Sequence, residues 1–353
     1  MRVIFFTKYT RQGASSRLRT FLYLDFLREE GIYCKVSPFF NDAYLQEVYK
    51  YKRHNKWLSF LALVNRIKAL ATVPQYDRVV IEKELFPYFP SIFEWILKLM
   101  GVRYVVDYDD AIWHNYDSSP NHIIRFLLGH KIQRVMRYSG TVLSGNEYLA
   151  DMAKKSGAKR ITYLPTVIDI ERYSVKNYKT DKKFTIGWIG SPITHKYLAA
   201  LKRVFKELSE KYHIRIKLVG ASNGINLPDL EELVHWSEEI EVREIQTFNV
   251  GIMPLEDNIW ERGKCGYKLI QYMGCGVPVV GTPLGVNRRI IVDGVNGFVA
   301  NTAAEWYTAI EKLIVGGIEL ERTMGTAGRL FVEQHYSLQA HRKRYLEEIE
   351  RTE

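Results

Sequence analysis

One local pattern occurs twice in this chain and limits what it can fold into: a β-rich run, a glycine-containing loop, then a helical segment. Val3–Thr7 leads through Gly13-Ala14-Ser15-Ser16 into Leu18–Glu30, which ends at Gly31. Phe184–Ile189 leads through Gly190-Ser191-Pro192 into a helix from about Lys196 to Lys211. Such units open parallel α/β domains, with the loop at the carboxyl end of the strand, where ligands bind. A chain of 353 residues is long for one core. Two successive β/α repeats of similar size therefore predict an α/β protein of two doubly wound domains facing a central cleft. The expected division is 1–175 and 184–335, separated within the polar stretch Ser174–Lys183, with 336–353 a C-terminal helix free to pack back toward the first domain.

Composition removes several function classes. Hydrophobic and charged fractions of 46% and 25% are those of an ordinary soluble protein rather than a disordered one. Cys34, Cys265 and Cys275 are too few and too scattered for a disulfide framework or a zinc site, which fits a reducing compartment. Met1–Phe6 runs straight into a strand without the apolar segment and small-residue cleavage site of a signal peptide. There is no run of about 18 apolar residues, so the expected location is cytoplasmic. The net charge of +10 is uneven: Met1–Val175 carries 26 Lys and Arg against 17 Asp and Glu, a net of +9, and the remainder is near neutral. That asymmetry calls for an anionic partner of the first half, such as a membrane surface or lipid phosphate. No zinc finger, RNA-binding aromatic signature or basic zipper is present, so nucleic acid is set aside.

The stretch Gly263–Gly281, GKCGYKLIQYMGCGVPVVG, reads as loop, helix, tight turn and strand. Gly263 and Gly266 flank Lys264 and let main-chain N–H groups come close to a ligand. Leu269, Ile270, Tyr272 and Met273 recur at helical spacing, Gly274 and Gly276 stop the helix, and Val277, Val279 and Val280 make a short buried strand. Lys264 and Lys268 are thereby placed at a helix N-terminus, where unpaired N–H groups add partial positive charge to two ammonium groups. The pattern predicts a phosphate site; its plain alternative is a basic surface turn.

In the first half, Arg78–Glu82 reads as a strand, Pro90–Met100 as a helix and Val102–Val106 as a strand ending in Asp107-Tyr108-Asp109-Asp110. Three carboxylates so close repel one another, so a cation, a hydroxyl network or raised pKa values must compensate. Asp107 and Asp109 form a D-x-D pair that with water and phosphate would suit Mg²⁺ or Mn²⁺. Helix capping by Asp109 or Asp110 explains the pattern as well, and no metal is assigned. Arg17 and Arg19 are placed where they can reach an anion or lie exposed on a first turn.

Two segments read as basic amphipathic helices. In Tyr49–Ala71, Lys50, Lys52, Arg53, His54 and Lys56 precede Trp57, Phe60 and a run of aliphatic residues. Asn121–Ser139 carries Arg125, His130, Lys131, Arg134 and Arg137 among apolar residues. The first can lie on an anionic membrane with Trp57 and Phe60 in the headgroup layer, or pack its apolar face on the sheet.

With both halves in view the chain resembles the retaining glycosyltransferases of family 4, whose fold is GT-B, two facing Rossmann-like domains. Leu143-Ser144-Gly145-Asn146-Glu147-Tyr148-Leu149 is similar to the family's strand-Ser-x-x-x-Leu element, and Leu164-Pro165 through Asp169 to its Pro-Asn-Gly-Val-Asp turn. Tyr272–Val280 is close to its E-A-M-A-x-G-x-P-V-V run, and Asp293–Phe298 to its D-G-x-x-G-F turn. The chain departs at the family's two glutamates, eight positions apart, where it has Gly263 and Gln271. Gln271 keeps an amide able to hydrogen-bond a ribose; Gly263 offers no side chain. The family's Arg and Lys after the first strand of the second domain fall on Ser191 and Lys196, and the resemblance leaves Arg262, Lys264 and Lys268 to neutralise a diphosphate. Asp109 and Asp110 occupy the place of its acceptor-side His-Asp pair.

The resemblance thus implies retaining transfer of a sugar from a nucleotide-diphosphate donor to an acceptor hydroxyl, of a lipid-linked or surface saccharide, without cofactor. It implies Asp109, Asp110 and Lys268 as catalytic positions and Gly190, Ser191, Lys196, Arg262, Lys264, Gly266, Lys268 and Gln271 as the donor site. A sugar-nucleotide epimerase of the same architecture is the alternative enzyme. A non-catalytic binding module is the third reading, favoured by the missing glutamates.

Overall fold

The computed structural model describes residues 1–51, 55–179 and 183–351, with the side chains of 49–51 left aside. Lys52, Arg53 and His54 of the first basic segment lie outside the described residues, as does the side chain of Lys50. The chain divides into two units. The first is Met1–Thr166 with Gly263–Cys265 and the tail from His341; the second is Val167–Arg262 with Gly266–Ala340. The division thus comes at Thr166, ahead of the polar stretch in which the sequence placed it. Polarity there conceals anchors of the second unit: Lys176 is ion-paired with Glu321, and the Tyr178 hydroxyl donates to Gly276 O at 2.8 Å.

The first unit holds a parallel sheet of β1 (Arg2–Thr7), β2 (Tyr33–Pro38), β3 (Arg78–Glu82), β4 (Val105–Tyr108), β5 (Thr141–Ser144) and β6 (Ile161–Tyr163), in the order β2-β1-β3-β4-β5-β6. Val3–Phe6 and Val79–Ile81 are buried on both faces, which is why these runs are uninterruptedly apolar. The order reverses between β1 and β3, so the crevice at their carboxyl ends is where such a sheet takes a ligand. The helices of this unit are α1 (Ala14–Arg19), α2 (Leu24–Glu29), α3 (Asp42–Tyr51), α4 (Lys56–Ala71), α5 (Ile92–Leu99), α6 (His114–Asp117), α7 (His122–Leu128), α8 (Lys131–Tyr138) and α9 (Glu147–Lys155).

Several expected helices are shorter than their apolar patterns. Leu18–Glu30 is split by a 3₁₀ turn at Phe21–Tyr23. The segment from Tyr49 is not one helix, because Asn55 caps α4 by accepting from Trp57 N and Leu58 N. Asn121–Ser139 breaks into α7 and α8 around Gly129 and His130. In each case a continuous apolar face survived the break, so periodicity did not register it.

The second unit holds β7 (Phe184–Ile189), β8 (Ile214–Val219), β9 (Glu231–Val234), β10 (Val250–Met253), β11 (Val279–Gly281) and β12 (Gly297–Val299), in the order β12-β11-β10-β7-β8-β9, again all parallel. Its helices are α10 (Lys202–Lys211), α11 (Glu241–Ile245), α12 (Tyr267–Gly274), α13 (Asn287–Ile290) and α14 (Ala303–His335). Ile240-Glu241-Val242, expected as a strand, opens α11 instead; the strand is Glu231–Val234. Helix α14 is two helices meeting at Gly317, whose φ of 60° is non-helical.

The last helix, α15 (Leu338–Glu350), carries the chain into the first unit. There the fully buried Tyr345 ring lies 4.2 Å from that of Tyr23, its hydroxyl donates to Arg19 O at 3.3 Å, and Arg160 makes two 2.9 Å bonds to Glu348. Tyr345→Ala is expected to destabilise this unit by about 3–5 kcal/mol through the cavity it leaves. Tyr345→Phe, which loses one hydroxyl bond, should cost about 1 kcal/mol. Urea unfolding midpoints of the two variants would check both values.

Candidate functional site

In the second unit the sheet order reverses between β7 and β10, and the residues at that point are those the sequence singled out. Gly190 directly follows β7. A Cβ there would stand 2.5 Å from the Trp188 ring and 2.8 Å from Lys268 Nζ, so glycine is required for the lysine to lie against the strand end. Lys268, in the first turn of α12, sits 4.5 Å above the Trp188 ring centroid and donates to Thr194 Oγ1 at 3.3 Å. The helix begins at Gly266, whose φ of 66° turns the chain into it. A cation, a helix N-terminus and a bare strand end converge here, which is chemistry suited to an anionic phosphate ester.

The other expected donor-site residues are placed differently. Ser191 and Lys196 are exposed, Lys196 lying 5.1 Å over the Tyr197 ring. Arg262 is exposed and paired with Asp257 at 2.8 Å. Lys264 lies in the segment grouped with the first unit, outside helix α12, and is paired with Asp110 at 3.1 Å. The expected pair of lysines at one helix N-terminus is therefore Lys268 alone. Gln271 is buried, and its amide donates to Tyr173 Oη at 2.9 Å. Tyr173 in turn donates to Glu241 at 2.5 Å, and Glu241 accepts from Trp236 Nε1 at 2.9 Å. Sequence reading missed this network, since its members are far apart in the chain. It also missed buried Glu261, which accepts from the Tyr197 hydroxyl and has a second oxygen, Oε2, without a hydrogen-bond partner.

In the first unit the acidic cluster closes β4. Each aspartate has its own cation. Arg19, almost wholly buried, grips Asp107 through Nε at 2.9 Å and Nη2 at 2.6 Å. Lys83 pairs with Asp109 at 2.7 Å and donates to Ser15 Oγ at 2.8 Å. Lys264 meets Asp110. The compensation that the cluster demands is thus supplied within the chain, and the anion within reach of Arg19 is Asp107. Burial works against the Asp109 charge, but Lys83 outweighs it and pulls the carboxyl down to about 2. Beside it, burial pushes the Glu82 carboxyl up; its Oε2 accepts from Ser16 Oγ at 2.6 Å and Lys8 N at 3.0 Å, while Oε1 has no partner.

Gly263 also has a spatial reason. A Cβ at this position would stand 2.6 Å from that of Ala111 and 3.0 Å from Ala111 N. A longer side chain cannot be added without moving the backbone beside Asp110. Asn146 holds the loop by donating to Gly263 O at 2.8 Å and Lys264 O at 3.1 Å. Glu82-Lys83-Glu84, charged residues at the end of an apolar strand, was a legible signal that the sequence reading passed over. Among the described residues no group of His, Cys, Asp and Glu is arranged to hold a metal ion.

The Lys83–Asp109 pair yields a prediction. Lys83→Met or Asp109→Asn alone strands a buried charge and should cost about 3–5 kcal/mol, whereas the double variant should cost less than the sum. Because the folded Asp109 pKa lies below its unfolded value, its contribution is present above about pH 4 and is lost as pH falls through about 2. A double-mutant cycle by denaturant unfolding at pH 7, repeated at pH 3, checks the coupling and its sign.

Comparison with known proteins places these features. Residues 183–315 match the family model described as glycosyl transferases group 1. No curated protein matches the sequence. Solved structures resemble it along its whole length at low identity. They include sucrose-phosphate synthase from Thermosynechococcus elongatus (11% identity, 98% of each chain, TM-score 0.71) and a glycosyltransferase from Rickettsia africae (12%, 100% of this chain and 99% of that one, 0.72). Another is HepE from Anabaena in complex with UDP and glucose (14%, 100% of each chain, 0.70). The chain has the GT-B fold of two Rossmann-like domains, and its residues 183–315 match the glycosyl transferases group 1 model.

Proposed function

We propose that this chain is a glycosyltransferase that moves a sugar from a nucleoside-diphosphate donor, held by the second unit, to an acceptor hydroxyl held by the first. The observation that carries the reading is Lys268 on the Trp188 face beside Gly190, at the strand-order reversal of the domain that matches the group 1 family. Breaking the bond between the sugar carbon and the diphosphate leaves negative charge on phosphate. Lys268 and the first-turn N–H groups of α12 are fixed where they can stabilise that charge without reorganising. HepE has been solved with UDP and with UDP-glucose, which makes uridine nucleotides the first probes to try.

Retention of configuration, the donor contacts of Gly190, Ser191, Lys196, Arg262 and Gly266, and a lipid-linked or surface saccharide acceptor complete the proposal. Gln271, whose amide gives one N–H to Tyr173, bonds a ribose through its remaining N–H or its oxygen. Glu261, two residues before Gly263, takes over hydrogen bonding to donor hydroxyls through its unpartnered oxygen. Asp110 orients the acceptor, and Asp109 acts through Lys83, which it holds in place. The enzyme works in the cytoplasm with peripheral contact to the membrane through its basic half.

A second reading, a binding module that has lost transfer, is favoured by Gly263, where Ala111 leaves no room for the family's carboxylate. One set of measurements separates the two. UDP and UDP-glucose should raise the melting temperature, as any ligand of the folded state does, and release of UDP should depend on a saccharide acceptor. Lys268→Ala should abolish the melting shift and lower kcat/KM about 100-fold while leaving the unliganded melting temperature unchanged. Wild-type transfer by Lys268→Ala would overturn the assignment. A melting shift with no release of UDP to any acceptor would favour the module.

A further inference from the structure

We propose that the outward sides of α5 and α7 form a membrane-contacting face of the first unit whose partner is an anionic lipid bilayer. The inference rests only on the peripheral-membrane part of the function proposed above, and it adds a face to the one the sequence placed on α4, whose Trp57, Phe60, Leu61 and Ile67 are also exposed.

Helix α5 is apolar on its outward side as well as on the inward side, where Leu97 and Phe93 pack in the core. A helix on a globular surface turns its apolar stripe inward and its charges to water. Here the acidic residue Glu94 is 1% exposed and accepts from Leu85 N at 2.9 Å. Ile92, Trp95, Ile96 and Leu99, spaced as one helical face, point outward with exposures of 47%, 46%, 38% and 65%. Helix α7 repeats the arrangement with Ile123, Phe126 and Leu127, at 67%, 88% and 55%. Single exposed apolar side chains are common, but two stripes at helical spacing in one unit mark an interaction surface. The intervening chain keeps the surface continuous: the Phe89 and Phe93 rings lie 6.0 Å apart, Tyr88 packs on Tyr116 of α6 at 5.4 Å, and α6 contacts α7.

Charge selects the occupant. Between Asp117 and Glu147 the sequence has no acidic residue, against Arg125, Arg134 and Arg137; Lys131 is buried and paired with Glu84. Helix α8, which packs on α5, exposes Arg134 and Arg137, and Lys98 of α5 lies 5.0 Å over Tyr138. Exposed basic side chains thus outnumber the acid of α6, Asp117, which is paired with His114. A second copy of the same face would bring like charges together. An anionic bilayer offers hydrocarbon for the aromatic stripe and phosphate for the fringe.

The test uses the full-length protein and vesicles of phosphatidylcholine, alone or with one third phosphatidylglycerol as a probe composition. Wild type should co-sediment with the mixed vesicles and at least tenfold less with phosphatidylcholine alone. Trp95→Ser with Leu99→Ser should lower partitioning at least tenfold, and Arg134→Ser with Arg137→Ser should erase the preference for phosphatidylglycerol. An unchanged melting temperature in each variant shows that the fold is kept. The proposal is overturned if the Trp95/Leu99 variant binds like wild type, or if wild type binds neither vesicle. It is equally overturned if lipid-free wild type sediments as a dimer that this variant dissolves, which would make a second copy the occupant. UDP release with a soluble acceptor reads transfer separately, so failure of the membrane face and failure of the enzymatic proposal are distinguishable.

Discussion

The pairing of three aspartates with three cations at the end of β4 is the constraint on which the carboxyl end of the first unit's sheet depends. Asp107, Asp109 and Asp110 are too close to remain ionised without compensation, and each is met by a different segment: Arg19 from α1, Lys83 from the end of β3, Lys264 from the loop before α12. Two of these pairs are buried, so their charges are nearly uncoupled from bulk solvent and strongly coupled to one another. The arrangement fixes the loop Asp109–Ala111, and Ala111 then fixes what residue 263 can be.

The second unit places a cation at its strand-order reversal: a lysine resting on an indole face and donating to Thr194. Carboxylates are nearby in the unit but are held by other donors, Glu261 by Tyr197 and Glu241 by Tyr173 and Trp236. The second unit pairs acids with cations as well, Lys176 with Glu321 and Lys217 with Glu244, and it sets Lys268 in the first turn of a helix.

What the sequence disclosed follows from the range of each signal. Strand, glycine loop and helix are local patterns, and both doubly wound sheets were legible from them, down to Gly190 and the start of α12 near Gly266. Breaks inside continuous apolar faces, at Asn55 and Gly129, were not, because a capped turn leaves the periodicity intact. The strand expected at Ile240-Glu241-Val242 failed for a related reason: so short a run fits either geometry, and the buried bonds of Glu241 decide it. Charge partners were least legible. Arg19 and Asp107 stand 88 positions apart and Lys264 and Asp110 stand 154 apart, so which of many cations meets which acid is information held only by the fold. The pairing of Lys264 with Asp110 is of that kind, and the glycine at 263 acquired its cause only once Ala111 was seen beside it.

The exposed apolar stripe of helix α5 also bears on how the protein survives in solution. Exposed aromatic and aliphatic stripes are aggregation liabilities, yet this chain leaves Trp95, Leu99 and Phe126 open to water. Its net charge of +10, concentrated in the same half, keeps copies apart by mutual repulsion. That protection reaches only about a Debye length, roughly 8 Å at physiological ionic strength. The colloidal stability of the protein is thus electrostatic rather than steric, and concentrated salt, which leaves its buried ion pairs in place, removes the barrier between one exposed stripe and the next.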